Sequence, residues 1–424
     1  MTGTEPAPAL EHRRLDAGVF RSILPQGTIV LSERMDSVRS VAVGFWIRQG
    51  RVHEAPEEAG ASHLLEHMVF KGTERRTPRD LVWAIEGLGG TLDAYTTHEA
   101  TAYQARVPES RLDVALDVLC DLAFHPVLRD RDLDLERQVV LEEIASLEES
   151  PEDVAFERHA GLLYAGHPYG EPVIGTAESV GALSRERLAA LHERTYRASN
   201  LIVAAAGSVD HERLVAELSR RLPASGPATG SLPSVPTPDG SPGFERLERP
   251  GGRQTHIVSG ALTVPYRDPL RYAIVVAATA LGGGMASRLF QRIREERGLA
   301  YSVYSFHGFY RAGGHVGAYV GTRPESGPEA RNVLLDEFRR LAERGLGEDE
   351  LEDTRRQLKG QILISLESPP ARMSRLAGIA LFEHEYRTLD EVAARIEAVD
   401  REICAEAAAL FAPERGATLE LVPA

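Results

Sequence analysis

Leu92-Asp93-Ala94-Tyr95-Thr96-Thr97 is followed by Thr101–Val107, then by Pro108-Glu109-Ser110, then by a helical pattern through Leu112, Val114, Ala115, Val118 and Leu119. Alternation puts every second side chain on one face of a strand, and apolar residues three and four apart line one face of a helix. The stretch therefore reads as two paired strands followed by a helix laid against them. The same order returns in the second half of the chain. Ala300–Tyr304 and His315–Val320 alternate, Pro324-Glu325-Ser326 follows, and a helix runs through Val333, Leu334, Leu335 and Phe338. Each copy continues to an acidic helix start, Arg129-Asp130-Arg131-Asp132 or Gly347-Glu348-Asp349-Glu350, and to a break at Leu147–Pro151 or Leu366–Pro369. Acids in a first turn suit the helix dipole. The repetition predicts an α+β fold of two homologous domains, each a mostly antiparallel sheet packed with helices.

Between the copies, residues 223–243 are rich in Pro, Gly, Ser and Thr. Pro223, Pro227, Pro233, Pro236, Pro238 and Pro242 forbid a continuous helix there. The expected division is a first domain over 1–222, a linker over 223–243 and a second domain over 244–424. The first domain opens with a hairpin, Val19–Leu24 and Thr28–Ser32 around Pro25-Gln26-Gly27, and Ser40–Ile47 alternates as a further strand. A helix follows from about Gly60.

Composition narrows the function classes. The chain has 424 residues, 43% hydrophobic and 26% charged, which excludes a disordered, collagen-like or coiled-coil protein. Its 63 acids outnumber its 48 bases, for a net charge of −15, so it lacks the basic footprint of a nucleic-acid binder. Every base but Lys71 and Lys359 is arginine, which reads as compositional bias. The longest apolar runs, Leu201–Gly207 and Tyr272–Leu281, fall far short of the ~20 residues a membrane span needs. Met1–Pro8 is polar, without a signal-peptide core. Cys120 and Cys404 are isolated and form no disulfide framework. These features predict a cytoplasmic protein with reduced thiols and neither membrane nor nucleic-acid partners.

The predicted helix after Gly60 carries His63-Leu64-Leu65-Glu66-His67. Positions three and four apart share a helix face, so His63 and His67 can aim two imidazoles at one ion with Glu66 beside them. This is the inverted order of the H-E-x-x-H zinc helix. A third ligand would come most readily from Glu136-Arg137-Gln138-Val139-Val140-Leu141-Glu142-Glu143. Glu136 and Glu143 are seven apart and share a face; composition does not choose Glu143 over Glu142, and a solvated acidic face is the plain alternative. The second half has no such set: Arg271–Ala278 stands where the first copy has its metal helix, and Gln361-Ile362 stands near the Glu143 position. It has instead Gly282-Gly283-Gly284-Met285, then Ser287–Arg294, then Gly298–Tyr304. No Gly-Lys-Ser/Thr follows, so this is no phosphate cradle, and a helix C-terminal turn is the simplest reading. His53, His98, His167, His256 and His315 have no partner at metal spacing and read as packed or surface histidines.

Ala61-Ser62-His63-Leu64-Leu65-Glu66-His67-Met68-Val69-Phe70-Lys71-Gly72-Thr73 and Glu136–Ile144 resemble the signature of the pitrilysin/insulinase family of zinc peptidases, and the resemblance extends over nearly the whole chain. It is nearest to the short bacterial relatives of the mitochondrial processing peptidase. The family's third ligand follows the second histidine by 76 residues, which implies Glu143 as the ligand after His67. Glu136 matches the family's supporting glutamate, and Glu66 its catalytic base. Asp93 stands where Asn is common and implies a bond to substrate backbone. Gly282, Gly283 and Gly284 resemble the substrate-handling loop, and Arg294 with Tyr301 the pair that reaches the substrate. The resemblance implies a zinc endopeptidase with one Zn²⁺ per chain, acting on peptides or unfolded segments inside a chamber. Larger members fuse four such domains, so a chain with two implies a homodimer. The rival expectations are a non-catalytic subunit or one that needs a different partner chain.

Overall fold

The computed structural model describes residues 11–223, 234–240 and 242–424; Met1–Pro8 and much of the Pro/Gly-rich segment lie outside the described residues. The chain forms two compact units.

The first unit is built on seven strands, β1 (Glu11–Asp16), β2 (Val19–Ile23), β3 (Ile29–Arg34), β4 (Ser40–Ile47), β5 (Thr91–Thr96), β6 (Thr101–Pro108) and β7 (Leu201–Gly207). Their order is β1-β2-β3-β7-β4-β6-β5, antiparallel throughout except β3–β7. The β2–β3 turn closes through Gly27 at φ +91°, where a side chain is disfavoured. Alternation along β4 sends Val41, Val43, Phe45 and Ile47 to one face, where they pack with Leu64, Leu65, Leu116 and Leu119. Ala42 and Trp46 face the other side, against Met373, Leu376 and Ala377 of the helix Pro369–Leu381.

The second unit is built on β8 (Gly243–Arg249), β9 (Thr255–Thr263), β10 (Ala300–Phe309), β11 (Gly314–Thr322) and β12 (Gly416–Pro423), in the order β10-β11-β9-β12-β8. Only β12–β8 is parallel. That order repeats β5-β6-β4-β7-β3 strand for strand, with β1 and β2 as an addition to the first sheet. Val316, Ala318 and Val320 of β11 enter a core with Ile274, Ala277 and Leu334, while Tyr319 faces Ala155 and Phe156 of the helix Pro151–Leu163. The fold is thus α+β, two mostly antiparallel sheets packed with helices.

The units are not contiguous in sequence. Of the described residues, one unit takes those up to Ile144, those from Pro172 to Ser234, and Ser365–Tyr386; the other takes Ala145–Glu171, Val235–Ile364 and Arg387–Ala424. Residues 145–171, read above with 1–222, pack with the second sheet, and residues 365–386, read with 244–424, pack with the first. Both exchanged helices begin at the serine–proline breaks: Ser150 accepts from Asp153 N and Ser368 from Ala371 N. A sheet with two apolar faces needs a helix on each, and each sheet draws one from the other half. No helix among the described residues is long and apolar enough to cross a membrane.

Candidate metal centre

The helix Ala61–Val69 starts at Gly60, whose φ is +87° and where a Cβ would lie 2.5 Å from Ile174 O. Leu64, Leu65, Met68 and Val69 are fully buried in the first core, which fixes the helix rotation. The other face then presents His63, Glu66 and His67. The two imidazole rings lie 4.8 Å apart. Glu143, on the helix Asp130–Glu149, completes a cluster whose donor atoms all lie within 4.8 Å of one another.

The donor set fits a small divalent ion. Glu143 Oε2 is 3.8 Å from His63 Nε2 and 3.6 Å from His67 Nε2, both beyond hydrogen-bond length. A tetrahedral zinc with ligands at roughly 2.0–2.2 Å separates its donors by about 3.4 Å. His67 Nδ1 lies 3.1 Å from Glu136 Oε2. A carboxylate only accepts, so that contact puts a proton on His67 Nδ1 and leaves Nε2 as the ring nitrogen facing Glu143. Burial first, and His67 second, lower the His63 pKa to about 4, keeping its imidazole neutral. Two imidazoles, that of His63 kept neutral by burial, and a carboxylate that converge without a hydrogen bond are a donor set suited to a divalent cation. Glu66 is buried beside them, and burial raises its pKa, opposed chiefly by the hydrogen bond it accepts from Thr96 Oγ1 at Oε2.

The other expected site residues fall in two places. Asp93 is exposed on β5, the edge strand of the first sheet, and its Oδ1 accepts from Ala94 N. Strand alternation turns it away from Thr96, so the residue that reaches Glu66 from β5 is Thr96. Arg294 and Tyr301 belong to the second unit and meet there. Arg294 Nη1 donates to Tyr301 O at 2.9 Å, and the guanidinium lies 4.6 Å over the Tyr301 ring and 4.7 Å over that of Phe290. Arg294 sits on a π-helical turn, Phe290–Glu295, and Tyr301 is the extra residue of a bulge between Ala300 and Ser302, 78% exposed. Of the glycines, Gly282 closes the helix Arg271–Gly282, and a Cβ there would lie 2.4 Å from Ser305 N of β10. A Cβ on Gly283 would press on Thr279, and Gly284 is exposed beside Gln357. Close packing thus accounts for the first two.

The remaining histidines have ordinary partners. His167 Nε2 bonds Pro236 O at 2.9 Å, His256 bonds Tyr319 at 2.8 Å, and His315 bonds Tyr164 at 3.0 Å. Cys120 and Cys404 are free and buried, and burial raises their thiol pKa values to about 12 and about 11. Sequence reasoning gave no role to Thr96 or Lys71. Thr96 could have been found from the alternation of β5 against the metal helix; Lys71 had only its rarity as a signal.

Residues 29–177 match the family profile described as insulinase (peptidase family M16), and residues 182–358 match that of the peptidase M16 inactive domain. A protein of Streptomyces coelicolor named an uncharacterized zinc protease is 37% identical over 390 residues, covering 90% of this chain and 84% of its own length. The chain belongs to the insulinase family of peptidases. A Mycobacterium tuberculosis family member with the same description is 37% identical over 98% of this chain and 94% of its own. One from Bacillus subtilis is 34% identical over 91% and 93%. The fold is shared with a Helicobacter pylori protease, at TM-score 0.88 and 19% identity over 98% of this chain and all of that one. A Pseudomonas fluorescens structure titled as an M16 inactive domain matches at TM-score 0.88 and 21% identity, over 96% of this chain and 98% of that one. His63, His67 and Glu143 all fall in the part that matches the insulinase profile.

Proposed function

We propose that this member of the peptidase family is a zinc-dependent endopeptidase that cleaves peptides or unfolded segments, acting in the cytoplasm as a homodimer. The observation that carries the reading is the convergence of His63 Nε2, His67 Nε2 and Glu143 Oε2 beside a buried Glu66. His63, His67 and Glu143 would hold one Zn²⁺ per chain, and the ion would supply a Lewis acid that makes a water at the site more acidic. Burial makes Glu66 a better proton acceptor than an exposed carboxylate, and Thr96 occupies its Oε2, leaving Oε1 to take the proton and return it to the leaving amine. Exposed Tyr301 and half-buried Arg294 offer donors to a peptide carbonyl and the charge that develops on it. Gly284, exposed at the end of the Gly282–Gly284 turn, is the part of that turn open to a substrate backbone, whereas Asp93 lies on the face of β5 away from Thr96 and would meet substrate only beyond the edge of the sheet. A chamber around the site would admit extended chains and exclude folded ones. Two buried, reduced thiols suit the cytoplasm. Chelation should abolish cleavage of a mixed peptide set, and zinc should restore it; full activity in the metal-free chain would refute the reading.

The homodimer reading is supported by one cluster of metal donors among the described residues in one unit and the Arg294/Tyr301 pair in the other, and closed two-fold dimers are the commonest oligomers. In this arrangement the metal site of one chain works with Arg294 and Tyr301 of the other. Mixing Glu66→Gln chains with Tyr301→Phe chains should then restore activity, because one site of each mixed dimer is intact. No recovery among subunits shown to exchange would contradict pairing across the dimer.

A further inference from the structure

Two of the 48 basic residues are lysines. Lys359 pairs with Glu397, whose side chain is largely exposed. Lys71 has a different setting. Its Nζ lies 2.6 Å from Glu136 Oε1, and the other oxygen of Glu136, Oε2, lies 3.1 Å from His67 Nδ1. The Glu136 side chain is 7% exposed and that of Lys71 34%. Ammonium, carboxylate and imidazole thus form a line from the surface to one member of the metal cluster. Its backbone anchors are fixed as well. Lys71 N donates to Met68 O at 3.1 Å, just past the helix that carries His67. Arg129 Nη1 donates to Lys71 O at 3.3 Å, just ahead of the helix that carries Glu136.

We propose that Lys71 is a positioning residue for zinc binding: its ammonium clamps Glu136 by one oxygen, so that the other holds the His67 ring in the orientation and tautomer that present Nε2 to the metal. The inference rests on the reading of His63, His67 and Glu143 as zinc ligands. Donor shape explains why this position holds lysine in a chain whose other bases, Lys359 apart, are all arginine. A guanidinium is a planar fork that engages both oxygens of a carboxylate, whereas an ammonium is a compact charge that can satisfy one. A fork at residue 71 would compete with His67 for Oε2. The preference for arginine reads from composition as bias; the exception at residue 71 has a chemical reason.

The test uses full-length wild type, K71M, K71R, E136Q and K71M/E136Q. Each is stripped of metal and titrated with Zn²⁺ against a competing chelator, and the metal-free melting temperature is recorded. K71M and K71R should each bind zinc about 10- to 100-fold more weakly, the usual loss when a group behind a ligand is changed. Their metal-free chains should melt close to wild type. K71M should add little to E136Q, because both act through one bond to His67. Zinc binding by K71M or K71R as tight as wild type overturns the inference. So does a K71M loss as large in the E136Q background as alone. A wild type that binds no zinc overturns the reading of the site and the inference with it, and the first titration separates that case from the others.

Discussion

Two helices hold the same place on two sheets of the same strand order. Ala61–Val69 lies on β5 and β6, and Arg271–Gly282 lies on β10 and β11. The first shows two faces, one buried through Leu64, Leu65 and Met68, the other carrying His63, Glu66 and His67. The second buries Ala273, Ile274, Val276, Ala277 and Ala278, so apolar side chains surround it on most sides. The acidic helices behind them differ in the same way: Glu143 completes a cluster in the first unit, and the Gln361-Ile362 region holds no carboxylate in the second. Sheet topology needs only alternation and a buried helix stripe, which both copies keep. Chemistry needs a few polar groups on the remaining face, and one copy has them.

The comparison can be broken at its two helices. His67→Ala should weaken zinc binding by more than the roughly 10- to 100-fold that a supporting group costs. Ile274→Ala, at the matching helix, should leave zinc content unchanged while costing about 2–5 kcal/mol of stability, the range for a buried large-to-small change. Metal analysis and denaturant unfolding of the two variants check this, and zinc loss in Ile274→Ala would erase the distinction between the units.

A smaller effect belongs to the second unit's own exposed tyrosine. Tyr301→Phe removes one hydroxyl and should lower kcat/KM about 10- to 1000-fold without changing zinc content. Unaltered kinetics would remove Tyr301 from the site.

The smallest expected effect concerns a histidine outside the metal centre. His211 is buried between Ser22 and Ser32, which it bonds at 2.9 and 2.8 Å, and burial first, then His12, lowers its pKa from 6.5 to about 4. The unfolded chain takes up a proton near pH 6.5 that the folded chain refuses until about pH 4. Stability contributed by His211 is therefore present at pH 7 and lost as pH falls through that window. Unfolding free energies should drop less between pH 7 and pH 4.5 in His211→Asn than in wild type; equal drops would contradict the sign.

Much of this fold is legible in the sequence because its signals are local. The Pro25-Gln26-Gly27 turn, the alternation of Leu92–Thr97 and Thr101–Val107, and the helix after Gly60 each state themselves within a few residues. The central strand β7 does not, since burial on both faces makes it a continuous apolar run with no alternation. Nor does β1, a polar edge strand with little buried surface. The exchange of Pro151–Leu163 and Pro369–Leu381 between sheets is a long-range choice that no local pattern encodes. At the site, helix spacing brings His63, Glu66 and His67 together, but choosing Glu143 over Glu142 needed the family resemblance. Thr96 and Lys71 matter through one contact each, and a contact across elements leaves no periodicity to read.

The central claim is that the first unit holds zinc through His63, His67 and Glu143 while Glu66 moves the proton. Metal content and peptide turnover of Glu66→Gln, measured on one preparation, test it most directly. The expected result is one zinc per chain, as in wild type, with kcat reduced by about 10²- to 10⁴-fold, the span for a lost general base. A Glu66→Gln chain that loses its zinc, or one that keeps wild-type turnover, would contradict that division of roles.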